Sequence, residues 1–106
     1  NNGIVAIDAP VKDGEELMFV RRDSAAALSD MKAGLERLKI RSGDKIKGGL
    51  YIACIARGPH MFGSQNAEIE LIRDIIGNIP LVGMYANGEI SNKRLYSYTG
   101  ILSLFL

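Results

Sequence analysis

Gly49-Leu50-Tyr51-Ile52-Ala53-Cys54-Ile55-Ala56-Arg57-Gly58-Pro59-His60-Met61-Phe62-Gly63 is the stretch on which the fold turns. Residues 49–56 are apolar throughout, the pattern of a central strand covered on both faces. Gly58, Pro59 and Gly63 break that run and mark a shaped loop. Beyond it, Ser64 or Asn66 is placed to cap a helix ending at Ile76. Ile69, Ile72 and Ile76 form its apolar stripe, and Glu68, Glu70, Arg73 and Asp74 fall to its outer side. Gly77 ends the helix and Pro80 prevents its return. A strand flowing through a loop into a helix is half of a crossover unit, so a second strand is expected next. Leu81 to Ala86 supplies it.

Working toward the N-terminus, Leu28, Met31, Leu35 and Leu38 recur at helical spacing behind a cap at Asp23 or Ser24. The expected helix covers 24–41. Ala25, Ala26, Ala27, Ala33 and Gly34 let it approach a sheet closely, and Gly43 suits the residue past its end. Arg37, Lys39 and Arg41 favour its last turns, where cations offset the helix dipole. Before it, Ile4–Ile7, closed by Asp8-Ala9-Pro10, and Leu17–Arg21 read as strands about an Asp13-Gly14 turn. After Ala86, Asn87-Gly88 is a turn signal, a loop runs on to Lys93, and Leu95–Phe105 reads as a last strand interrupted near Thr99-Gly100. The expected class is α+β: a mixed sheet of about five strands with two packed helices, in the order β-β-α-β-α-β-β.

With 106 residues there is room for one domain. A net charge of +1 gives no general pull toward nucleic acid, and the cations of 37–47 lack interleaved aromatics to stack on bases. No apolar run approaches the roughly 20 residues of a membrane span. The one cysteine rules out an intrachain disulfide and leaves no zinc set. A lone thiol behind an N-terminus that is not signal-like points to a reducing compartment, the cytoplasm. Apolar runs at both ends suggest a piece of a longer protein. No phosphate-loop or dinucleotide motif is present, and a Cys–His pair six residues apart matches no nucleophile arrangement, so no catalytic residue is expected.

Chemistry concentrates at two turns, each following a strand. The first offers Cys54, Arg57, Gly58 and His60, and Arg57 beside a helix N-terminus could clamp a carboxylate or phosphate. The second offers Asn87, Gly88 and Glu89, with Glu89 able to take a cationic or N–H group. The plainer reading runs beside this one. Cys54 is a small buried hydrophobe, Arg57 pairs with a carboxylate such as Glu89, and His60 braces a loop. Tyr96, Tyr98 and Thr99 add hydroxyls near the last strand.

Cys54-Ile55-Ala56-Arg57-Gly58, then Phe62-Gly63, then Pro80-Leu81-Val82-Gly83-Met84-Tyr85-Ala86-Asn87-Gly88-Glu89-Ile90 and Tyr98-Thr99-Gly100-Ile101-Leu102 together resemble the C-terminal domain of the FIST family (F-box and intracellular signal transduction). The resemblance covers most of the chain. It implies a sensory input domain preceded by a FIST N-terminal domain in the same full-length chain. The implied outputs are a histidine kinase, a chemoreceptor or a cyclic-dinucleotide enzyme. It also implies a small ligand such as an amino acid. The family's characteristic positions fall here on Cys54, Arg57, Gly58, Asn87, Gly88 and Glu89. Some members bind haem, for which His60 is the one histidine, although the resemblance assigns it no such role. The resulting expectation is a ligand pocket with Arg57 on one lip and Glu89 on the other. The alternative is a protein-interaction module without a small-molecule ligand.

Overall fold

In a computed structural model, residues 2–7, 9–64 and 66–106 are described. The core begins with α1 (Ser24–Ser42). Asp23 caps it, accepting the Ala26 N–H at 2.9 Å, and Gly43 closes it at φ 60° with its N–H on the Lys39 carbonyl at 2.9 Å. The apolar run then forms β1 (Gly48–Cys54), ending before the expected residue 56 because Ile55–Arg57 winds into a 3-10 turn. The expected loop contains a short helix, α2 (Pro59–Phe62), with proline in its first turn and Gly63 left-handed behind it. Of the two caps offered for the next helix, Asn66 and not Ser64 holds the N-cap position of α3 (Ala67–Ile76), although its side chain makes no capping hydrogen bond. The strand β2 (Leu81–Ala86) has the expected bounds.

The expected loop, 87–93, contains a strand, and the segment from Leu95 is strand on both sides of the expected break near Thr99-Gly100. Residues 89–96 are a hairpin of β3 (Glu89–Ser91) and β4 (Arg94–Tyr96), turned by Asn92 and Lys93, both at positive φ. The last strand, β5, is Gly100–Phe105. The fold is α+β, with a mixed three-stranded sheet in the order β2-β1-β5 and the hairpin as a second, small sheet. β1 runs parallel to β2, with α3 carrying the crossover, and antiparallel to β5.

Strand alternation sorts the sheet into two faces. Tyr51 and Ala53 meet Leu35 of α1 and Ile72 and Ile76 of α3, with Leu81, Leu102 and Leu104 beside them. Ile72 is fully buried, which contributes roughly 1.5–3 kcal/mol. Gly83 lies opposite Tyr51, so close that a Cβ there would run into the Tyr51 carbonyl. Among the described residues no helix packs on the other face, where Leu50 and Ile52 are half-buried and Val82 and Met84 exposed, which corrects the expectation of a strand fully covered on both sides.

The two strands expected before α1 are also absent among the described residues. Their turn forms, with the Glu15 N–H on the Lys12 carbonyl at 3.2 Å and the Lys12 N–H on Glu15 Oε2 at 3.1 Å. The flanking runs join no sheet among the described residues, and Ile4, Val5, Leu17, Met18, Phe19 and Val20 are each at least 55% exposed. Asp8 lies outside the described residues. A two-stranded ribbon without a sheet or helix to pack on is marginal in water. The segment stands away as an arm, and the radius of gyration of 17.2 Å exceeds the roughly 13 Å of a compact chain this size. No helix among the described residues is long and apolar enough to cross a membrane.

Candidate functional site

The end of β1 brings the first turn against α3. Glu68, expected on the outer side, is buried. It accepts from Arg57 Nε at 2.8 Å and from Arg57 Nη2 at 2.5 Å. The guanidinium's third arm, Nη1, donates to the Tyr98 carbonyl at 3.2 Å. The phenol of Tyr51 belongs to the same cluster. Burial and the Glu68 carboxylate hold its pKa well above the ordinary tyrosine range, against the opposing pull of Arg57. Burial works to lower the pKa of Arg57, but the hydrogen bonds and charge of Glu68 outweigh it and the net shift is upward. Arg57 is therefore an engaged structural cation, and its partner is Glu68 rather than Glu89.

The second turn reaches the same place from the other side. The hydroxyl of Thr99 donates to Glu89 Oε2, while Glu89 Oε1 is buried with no hydrogen-bond partner among the described residues. The Thr99 carbonyl accepts the Cys54 N–H at 2.9 Å, continuing the β1–β5 register by one pair. Tyr98 and Thr99 are thus held by both predicted turns, Arg57 gripping one and Glu89 the other. Tyr98 has φ 61°, a left-handed conformation uncommon outside glycine. Its ring carries the Arg22 guanidinium 4.1 Å from the centroid.

Beside this node, between α1 and β5, lies a cleft of about 470 Å³. Tyr51, Arg57, Thr99 and Gly100 form one wall, and Leu35, Leu38 and Leu102 supply apolar lining. Asp30 and Arg37 stand at its α1 rim, and neither makes an ion pair among the described residues. Arg37 folds back along α1, with Nη2 3.8 Å from where a Gly34 Cβ would stand. Gly100 is required here because a Cβ would strike the Tyr51 ring.

The predicted residues therefore divide. Arg57 lines the cleft, and Glu89 touches it only through Thr99. Cys54 is buried at 3% exposure, with its backbone on Thr99. Gly58 and His60 border a separate depression of about 460 Å³ with Ile55, Pro59, Asn66 and Tyr85. That lining offers one imidazole and no cation for haem propionates, so the residues present do not fit haem. Asn87 and Gly88 form the turn entering the hairpin, and Gly88 takes φ 135°. Asp30 and Arg37 were missed as site residues. Arg37 was legible only as a cation near a helix end, but its spacing of seven from Asp30, two turns, places both on one helix face.

The FIST C domain matches residues 1–92. The chain belongs to this family. It is accordingly a signal-transduction-related domain. It is similar to an uncharacterized protein, Mb0898c, of Mycobacterium bovis, with 33% identity over 110 residues covering all of this chain and 28% of the relative. Another uncharacterized protein, Rv0628c of Mycobacterium tuberculosis, is 34% identical over 108 residues covering 98% of this FIST C domain chain and 28% of the relative. The chain thus spans little more than a quarter of the length of these curated relatives. No solved structure matches it.

Proposed function

We propose that this FIST C domain is a cytoplasmic sensory module that binds a small charged ligand, such as an amino acid, in the cleft between α1 and β5. The carrying observation is that two charges of opposite sign, Asp30 and Arg37, neither ion-paired among the described residues, stand on the rim of a cleft with both polar and apolar lining. Arg57 is not the ligand clamp in this reading. Removing one member of a buried ion pair costs about 3–5 kcal/mol, so a ligand drawing Arg57 away from Glu68 would face a penalty of that order. Arg37 meets the ligand's anionic group, Asp30 its cationic group, and Thr99 offers a hydroxyl held by Glu89. The ligand would signal by its differential affinity for two arrangements of the Tyr98–Thr99 node.

The domain is not itself an enzyme in this reading, since its one thiol is shielded, and it needs no cofactor. It works within a longer chain carrying a FIST N-terminal domain, and passes its signal to an output such as a histidine kinase, a chemoreceptor or a cyclic-dinucleotide enzyme. It touches neither nucleic acid nor membrane. The test is thermal unfolding of the full chain across an amino-acid panel. At least one member should raise the midpoint with increasing concentration, as a ligand of the native state must. A flat response to every member contradicts the reading. The alternative, an interaction module without a small ligand, draws support from the uncovered sheet face and predicts that flat response.

A further inference from the structure

The face of the sheet turned away from α1 and α3 displays Leu50 and Ile52 of β1, Val82 and Met84 of β2, and Ile101 and Phe105 of β5. Val82 is 67% exposed, Met84 62%, Phe105 59% and Ile101 45%. No position of the three strands that points this way is charged. β1 and β2 are parallel, and parallel strands belong to sheets with both faces covered, usually by helices. Half of that covering is present.

Size decides what supplies the other half. Strands about 4.8 Å apart, each of about six residues at about 3.3 Å, make a sheet face of roughly 300 Å². An independent partner commits about 800 Å² to a stable complex. A covering layer tethered in the same polypeptide needs no such area, because its effective concentration is already high. The curated relatives have nearly three-quarters of their length outside the matched region, which is ample chain for such a layer.

We infer that this face is the seat of a helical layer of the same polypeptide, contributed by the part that corresponds to the unmatched three-quarters of the relatives. That layer is apolar toward the sheet. The arm at Leu17–Val20, exposed on both its sides, is a second feature left without a neighbour. The inference takes this chain as part of a polypeptide of the relatives' length and does not depend on the ligand reading.

The test introduces one cysteine at a time into the full polypeptide: V82C and I101C on the face, and E36C on exposed α1 as control. Maleimide labelling of the native protein is followed. V82C and I101C should react at least about tenfold more slowly than E36C, at rates independent of protein concentration. In the unsubstituted protein Met84 should resist peroxide correspondingly. Labelling as fast as E36C overturns the inference. Protection that vanishes on dilution assigns the face to a second copy, and protection that appears only with an added protein assigns it to a separate partner; either result overturns it as well.

Discussion

The two faces of one three-stranded sheet have had opposite fates. One carries Tyr51, Ala53, Leu102 and Leu104 beneath two helices, and its edge opens into a cleft where polar groups meet. The other carries apolar side chains of the same strands, with no helix over them among the described residues. Alternation along β1 sends neighbouring residues to opposite sides, so Tyr51 is buried while Val82, opposite Leu50, stands two-thirds exposed. The difference teaches that stability and chemistry both reside on the helical side, while the bare side is available for association.

Substitutions can break or sharpen this contrast. Arg57→Ala leaves the Glu68 carboxylate buried and alone, and should destabilise by about 3–5 kcal/mol in urea unfolding. Replacing both partners with apolar residues, Arg57→Met with Glu68→Leu, should recover most of that loss, because the pair is costly chiefly when half of it remains. Ile72→Ala, in the middle of the covered face, should cost about 2–5 kcal/mol through the cavity it leaves. An effect below about 1 kcal/mol would mean that α3 does not pack as described.

Tyr51 adds a pH signature to the same face. Its proton is held more tightly in the folded chain than in the unfolded one. Its contribution is therefore fully present below the ordinary tyrosine pKa and declines as pH rises above about 10. Urea midpoints at about pH 8 and about pH 11 should show this fall, and Tyr51→Phe should reduce it. The smallest effect belongs to the bare side. Met84→Gln should change the stability of this chain by less than about 0.5 kcal/mol.

Local periodicity made much of the fold legible. Leu28, Met31, Leu35 and Leu38 located α1, and Pro80 together with the apolar run behind it located β2. What failed was non-local. Ile4–Ile7 and Leu17–Arg21 have strand composition, but a strand also needs a neighbour, and local pattern does not report one. Glu68 looked like a surface residue. It nevertheless stands four residues before Ile72, on the stripe itself, and a carboxylate there implies a buried cation such as Arg57. The hairpin at 89–96 was hidden because Asn92 and Lys93 both take left-handed backbone, which lysine seldom does. For the site, the expectation was Arg57 and Glu89 on opposite lips of one pocket; the structure joins each of them to the segment Tyr98–Thr99, and the helix rim opposite was not read. Arg37 reads as a helix-end cation, and Asp30 carries no signal of its own, until β5 is placed across from them.

Calorimetric titration of one ligand from the amino-acid panel into three forms of this 106-residue chain separates the two faces most directly: the unsubstituted chain, Arg37→Gln and Met84→Gln. The account predicts that Arg37→Gln, on the cleft rim, weakens binding by about tenfold or more, while Met84→Gln on the bare face leaves affinity unchanged. Binding that survives Arg37→Gln intact, or that fails in Met84→Gln instead, would contradict it.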